Sequence, residues 1–451
     1  MDRTVLLICP EQSRMKYRIS GFIEKECLDA EIAMTVLKQN GFTVWLYDGE
    51  IMTHSVQEEL SKRHPDFVVL YGQLHQEAFM LEYCQLAKKC DPGIVTIIAG
   101  EDAQLNYRRL YHDAVDYILT GYDPNALLYV LGEDTGRWQP NGICHKVDGV
   151  WSQLPARSYD IRRLPWADRS LFDAYPERYR FYDHVHTAWV RTSFSCTHQC
   201  PYCAEPLRNR GEWCRRDARD VVDEIASIQA ENIFLCDADF LCDEDYVSEF
   251  LRLLQEKDIH RRLFCTGRAD FIASHETLVL EMKGTGFAGI VCDLQYCNDA
   301  MLSAGGKGTT AADHAECIRI CKETGIHVYA SFLVHPDFHD ADFRDLYRYI
   351  SDNGLLYTAV SVFTPEPGTP LYDAYKDSRI TDDSCMYDHF HLTVRPSHMS
   401  LRLWYTRYYW LLLKLCRRGK REGICGFADY GTMMRILASA LIGQKDPSEI
   451  G

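Results

Sequence analysis

Short apolar runs alternate with segments of helical spacing along most of this 451-residue chain, and that alternation limits the fold more than any other feature. TVLLIC, FTVWLYD, PDFVVLYG, GIVTIIAG and VDYILTG read as five buried strands within residues 1–135. Helical stretches stand between them, such as CLDAEIAMTVLKQNG, which stops at Gly41, and EAFMLEYCQLAKKC. Strands apolar on both faces and joined by helices run parallel, so a doubly wound parallel sheet is predicted. Such a sheet binds ligands beyond the carboxyl ends of its strands. Those ends are Cys9–Pro10, Asp48–Gly49, Tyr71–Gly72–Gln73, Gly100–Glu101–Asp102 and Gly121–Tyr122.

Residues 136–187 read as a connector, with Pro140, Pro155, Pro165 and Pro176 and no long periodic segment. The alternation returns over 188–375 in TAWVRTSFS, NIFLCDADF, LFCTGRADF, GFAGIVCDLQ, HVYASFLVH and YTAVSVFTP. Helices are predicted near 217–230 and 243–256, and the set suits an open, partial α/β barrel. Residues 376–451 read as a helical C-terminal region. Its segment LRLWYTRYYWLLLKLC is either a packed core helix or a wall for an apolar substrate or membrane surface.

The charge balance, 49 basic against 65 acidic residues, disfavours a nucleic-acid partner, which calls for a basic footprint. No apolar run reaches the roughly 18 residues of a membrane span. The N-terminus lacks the apolar stretch of a secretory signal, and a cytoplasmic location is expected. The 19 cysteines are then expected to be free thiols, most of them small core side chains.

Three cysteines differ from the rest. TSFSCTHQCPYCAEP places Cys196, Cys200 and Cys203 as C-x3-C-x2-C directly after a strand. Three thiolates in one loop can hold three irons of a cubane and leave the fourth open to an amine and a carboxylate. A zinc site wants four ligands, and His198, between two of the cysteines, is a poor fourth.

The triplet, with Tyr202 before its last cysteine, resembles the signature of the radical S-adenosylmethionine (SAM) superfamily. NIFLCDADFLCDEDY, LFCTGRADFI, GFAGIVCDLQYCNDAMLSAGGKGTT and FTPEPGTPLYD resemble later barrel segments of that superfamily. An α/β domain placed before such a barrel resembles the cobalamin-binding domain of its cobalamin-dependent subgroup. The resemblance implies a Rossmann-like cobalamin domain over 1–135, a (β/α)6 radical SAM barrel over 188–375, and a 4Fe–4S cluster on Cys196, Cys200 and Cys203. It implies cleavage of SAM to a 5′-deoxyadenosyl radical by an electron from a flavodoxin- or ferredoxin-type donor. Methylation of an unactivated carbon of a small molecule from methylcobalamin then follows; the alternative is rearrangement, cyclisation or transfer of another SAM fragment.

Asp237 and Asp239 stand where similar enzymes bind the SAM amino group, and a helix cap or solvated turn is the other reading. Arg268 suits a carboxylate of SAM or substrate, or a salt bridge to Asp270 or Asp239. Gln295 stands where the family often has a glutamate and can still bond a ribose. Lys307 is a SAM or substrate contact or a surface lysine. Cys236, Cys265 and Cys292 end neighbouring strands and are expected to be core thiols. The cobalamin motif D-x-H-x-x-G is absent from residues 1–135. Cobalamin bound without a histidine lower ligand is therefore expected, with a domain that has lost cobalamin as the alternative. Tyr71, Gly72 and Gln73 are expected to face the corrin, Gly100 to let the nucleotide tail come close, and Glu101 to belong to the same cofactor-binding set. His75 is expected to be structural. Positioning rather than acid–base chemistry sets the outcome, and no catalytic acid or base is named.

Overall fold

The structure is a computed structural model that describes residues 3–12, 22–132, 141–426 and 428–443. Pro140 lies outside the described residues. The first sheet contains β1 (Thr4–Cys9), β2 (Thr43–Asp48), β3 (Phe67–Tyr71), β4 (Val95–Ala99) and β5 (Tyr117–Leu119). They lie in the order β2-β1-β3-β4-β5 and all run parallel. Helices cover both faces. Val5 and Leu7 point into one core and Leu6 and Ile8 into the other, all with no exposure. Each such side chain contributes about 1.5–3 kcal/mol of burial, so β1 anchors the sheet from both sides.

The expected connector adds to this sheet. β6 (Ile143–Val147) and β7 (Val150–Leu154) form an antiparallel hairpin on β5. Asp148 and Gly149 both hold positive φ, 50° and 79°, which matches the two-residue turn whose twist suits a hairpin.

The second sheet holds β8 (Thr187–Val190), β9 (Asn232–Leu235), β10 (Arg262–Thr266), β11 (Phe287–Gln295), β12 (His327–Val334) and β13 (Tyr357–Val362). All six run parallel in chain order, and β8 and β13 do not pair. The sheet is strongly curved. In a flat sheet β9 and β12 would lie about 14 Å apart, yet Phe181 sits 4.8 Å from Phe234 on β9 and 4.7 Å from Tyr329 on β12. Phe181 belongs to a small three-stranded sheet built from Ile23–Glu24, Arg180–Phe181 and His184–Val185. That small sheet closes the amino-terminal end of the concave face.

The predicted helices appear as Ala218–Ser227 and Glu244–Glu256, the latter capped by Asp243. The aromatic C-terminal segment forms the helix Leu401–Glu422, started by the Ser400 side chain and stopped by Gly423 in the left-handed region. Trp404, Tyr405 and Tyr408 are buried, and the Tyr408 hydroxyl donates to the Val360 carbonyl at 3.1 Å. Through these residues the helix docks on β13 as part of the core. Among the described residues no helix is long and apolar enough to cross a membrane.

Candidate functional site

The cysteine loop begins where β8 ends. Ser193–Phe194 pairs antiparallel with Cys214–Arg215 and clasps its base. Asp237, at the end of β9, fixes the start. Its carboxylate accepts from the Thr192 and Ser193 amides at 2.8 and 2.6 Å and from the Thr192 hydroxyl at 2.5 Å. Ser195, just before Cys196, is held at φ 69°, a conformation that costs a non-glycine residue energy and marks a backbone fixed by its surroundings.

The three thiols share one electrostatic neighbourhood. A charge on Cys200 bears on Cys196, Cys203 and Tyr202, and burial pushes the Cys203 thiol up to about 12. Among the described residues no three His, Cys, Asp or Glu side chains are placed to hold a single metal ion. A cubane does not ask for that convergence, because each thiolate meets a different iron. His198 turns to Asp239, with Nε2 3.2 Å from the carboxylate.

The other barrel candidates surround this loop. Burial raises the Asp239 pKa, and its Oδ1 is buried without a hydrogen-bond partner. Gln295 stands at φ 59° where the β11–β12 register shifts. Its Nε2 donates to the Tyr202 hydroxyl at 2.5 Å, and its Oε1 is also buried and unpartnered. Arg268 forms a two-point pair with Asp270 at 3.0 and 2.8 Å and donates to the Lys307 carbonyl at 2.9 Å. The Lys307 ammonium donates to the Asp293 carbonyl. Gly306 lies against Pro201, where a Cβ would come within 3.2 Å of the proline ring. Asp237 and Arg268 are thus committed to the protein, while Asp239 and Gln295 keep free acceptors. Cys265 and Cys292 are core thiols, and Cys236 faces the cavity described next.

A cavity of about 220 Å3 lies between the two sheets. Tyr71, Gly72, Gln73, Gly100 and Glu101 all line it from the first sheet, and Trp189, Arg191 and Cys236 line it from the second. Gly100 holds φ +96°, and a Cβ there would meet the Gly72 backbone at 2.9 and 3.0 Å. The two strand ends can therefore touch only through glycine. Asp48 also faces the cavity, with burial lifting its pKa to about 6. His75 does not line it. Its Nε2 lies 3.1 Å from the Gln12 side-chain oxygen, and burial lowers its pKa to about 4. Sequence reasoning missed Arg208, which reaches across from the segment after the cysteines. It pairs with Glu101 at 2.8 Å, and Glu101 accepts from the Gln73 amide at 2.8 Å. No local pattern marks Arg208, because its partner lies over a hundred positions away.

The Radical SAM superfamily profile matches residues 190–350. The chain is 26% identical over 241 residues to a tRNA-2-methylthio-N(6)-dimethylallyladenosine synthase of Janthinobacterium sp. (strain Marseille), covering 47% of this chain and 52% of that one. It is 27% identical over 154 residues to a bacteriochlorophyllide d C-8(2)-methyltransferase of Chlorobaculum tepidum, covering 33% of each. An anaerobic magnesium-protoporphyrin IX monomethyl ester cyclase of Rubrivivax gelatinosus is 22% identical over 80% of this chain and 68% of its own. The match therefore spans only about a third to two-thirds of these curated relatives. Two solved structures share the fold. One is the radical SAM methyltransferase TsrM from Kitasatospora setae with cobalamin and a [4Fe-4S] cluster bound, at TM-score 0.65, 16% identity and 85% and 80% coverage. The other is the cobalamin-dependent SAM radical enzyme OxsB with aqua-cobalamin bound, at TM-score 0.71, 13% identity and 92% and 67% coverage. The matched span runs from the end of β8 to the helix before β13 and contains the cysteine loop with its surrounding residues: residues 190–350 of this chain are a radical SAM domain.

Proposed function

We propose that the chain is a cobalamin-dependent radical SAM methyltransferase acting on an unactivated carbon of a small molecule. The observation that carries this reading is the cavity shared by two sets of carboxyl-terminal strand ends, whose wall residue Glu101 is tied by Arg208 to the segment that follows the cysteines. When bound, the cluster with SAM supplies a hydrogen-abstracting radical and cobalamin supplies a methyl group.

The donor set suits these groups. Cys196, Cys200 and Cys203 offer three thiols in one clasped loop for a 4Fe–4S cluster. Asp239 Oδ1 and Gln295 Oε1 are buried acceptors awaiting donors, which the amine and ribose hydroxyls of SAM provide. Asp237 and Arg268 position the loop and the Lys307 segment rather than touch SAM. Tyr71, Gly72, Gln73, Gly100 and Glu101 form the cobalamin-facing wall, which contains no histidine. The domain assignment follows: 1–135 with the 143–154 hairpin as the cobalamin unit, and 188–375 as a partial barrel. An external one-electron donor of flavodoxin or ferredoxin type completes the system.

A second reading, radical cyclisation, is favoured by the cyclase relative, which matches 80% of this chain. Anaerobic turnover with methyl-labelled SAM separates the two. Methyl transfer gives labelled product and S-adenosylhomocysteine in amounts similar to 5′-deoxyadenosine. Deoxyadenosine alone, with no label in product, favours cyclisation. Replacing Cys196, Cys200 and Cys203 together by alanine is expected to abolish iron binding and SAM cleavage. Iron retained at about four per chain in that variant overturns the cluster assignment.

A further inference from the structure

A second cavity, about 520 Å3, opens beside the first. Its walls are β13, the helix Leu401–Glu422, the start of the last helix and the Phe22–Lys25 segment. Phe22, Ile23, Leu356, Phe390, Leu412 and Leu415 make it largely apolar. Three of these, Ile23, Leu356 and Phe390, are also about 40% exposed, at 43%, 41% and 42%. Exposed large apolar side chains gathered at one chamber mark a binding surface rather than a random scatter. The volume suits a drug-sized molecule.

The chamber is continuous with the cofactor cavity, because Gln12, Lys25, Glu50 and Gln73 line both. The charges there are unequal. Glu50 accepts from the Gln12 amide. Arg418 is committed to the Ile350 and Leu355 carbonyls. Glu422 is exposed at the outer rim. The Lys25 ammonium, at the junction, is exposed and makes no hydrogen bond or ion pair among the described residues, although its charge bears on the Glu101 carboxylate that Arg208 already holds.

We propose that this chamber is the substrate site and takes an apolar organic acid, a ring- or chain-bearing body in the chamber with its carboxylate on Lys25 at the edge of the cofactor cavity. The proposal rests on the function proposed above but concerns only this chain's own residues. An apolar body buries surface against the Leu412–Leu415 wall, and a carboxylate gives Lys25 the charge-assisted partner it lacks.

The test is a fluorescence titration of the full chain, without cofactors, using 8-anilinonaphthalene-1-sulfonate as an apolar aromatic anion. One saturable site is expected. Leu415→Trp, which pushes an indole into the chamber, is expected to weaken it severalfold, and Lys25→Gln to weaken it on the order of tenfold. 2-Naphthoate should displace the probe at concentrations where 2-naphthalenemethanol does not. Unchanged binding in Leu415→Trp, or equal displacement by acid and alcohol, overturns the proposal. Should Leu415→Trp misfold, photolabelling of the unmodified chain with 4-benzoylbenzoate decides. Label on β13 or the Leu401–Glu422 helix supports the site, and label only elsewhere rejects it. Displacement of the probe by hydroxocobalamin would assign the chamber to the corrin, rejecting the substrate site while leaving the cobalamin reading standing.

Discussion

Arg208 and Glu101 form a two-point ion pair, with both guanidinium–carboxylate contacts at 2.8 Å, across the boundary between the two parallel sheets. Glu101 then holds the Gln73 amide, so one chain of polar contacts runs from the segment after Cys203 to the strand end facing the cavity. The Arg208 guanidinium keeps the Glu101 carboxyl well below the ordinary range of a glutamate. Because the folded pKa is depressed, the stability from this pair is present above the ordinary glutamate pKa and is lost as pH falls toward the folded value.

Arg208→Met is expected to destabilise the protein by about 2–3 kcal/mol, because it leaves a mostly buried carboxylate unpaired. Urea unfolding at pH 7 measures the loss. Adding Glu101→Gln to that variant should recover part of it. No recovery would show that Arg208 acts through packing alone.

Asp48 behaves in the opposite sense. Burial raises its folded pKa to about 6, so its contribution to stability is greatest below the unfolded value and is lost as pH rises through about 6. Asp48→Asn, neutral throughout, is expected to be more stable than the natural protein at pH 8 by at most about 3 kcal/mol. The two should converge near pH 4. Denaturant midpoints at the two pH values check the sign.

Gly100→Ala forces a Cβ to within 2.9 Å of the Gly72 backbone at a φ that disfavours any side chain. A loss of about 2–3 kcal/mol is expected, together with loss of cobalamin uptake by the anaerobic protein. Gly41→Ala serves as the control. It shares a positive φ but meets nothing within 4 Å, so only the smaller conformational penalty of about 1 kcal/mol should appear, with uptake kept.

Asp237→Ala removes the acceptor for three hydrogen bonds that start the cysteine loop. Iron content after anaerobic reconstitution is expected to fall severalfold. Asp237→Asn, which still offers one oxygen to the two amides, should retain more iron. Equal iron in all three proteins would remove Asp237 from the loop's support.

The strands and their ends were legible because period and burial are local properties. β1 to β5 each lie on an apolar run bounded by a glycine, an aspartate or a loop. The β6–β7 hairpin carried its own signal in Val147-Asp148-Gly149-Val150, yet the prolines around it pointed to a connector. Partnerships were not legible. Asp237 and Asp239 are two positions apart and look alike in sequence. One is saturated by the loop it anchors and the other keeps a free buried oxygen. For Arg268 the sequence left a carboxylate of SAM or substrate, Asp270 and Asp239 open as partners, and folding gives it Asp270. Which polar groups remain available is a result of folding, and spacing does not encode it.

The Phe181 plug has a consequence for traffic. Its ring, with those of Trp189, Phe234, Phe264 and Tyr329, forms one buried aromatic cluster on the concave face. The curved sheet is thus a cup rather than a conduit. Whatever enters the concave face does so from the carboxyl ends of its strands and leaves the same way.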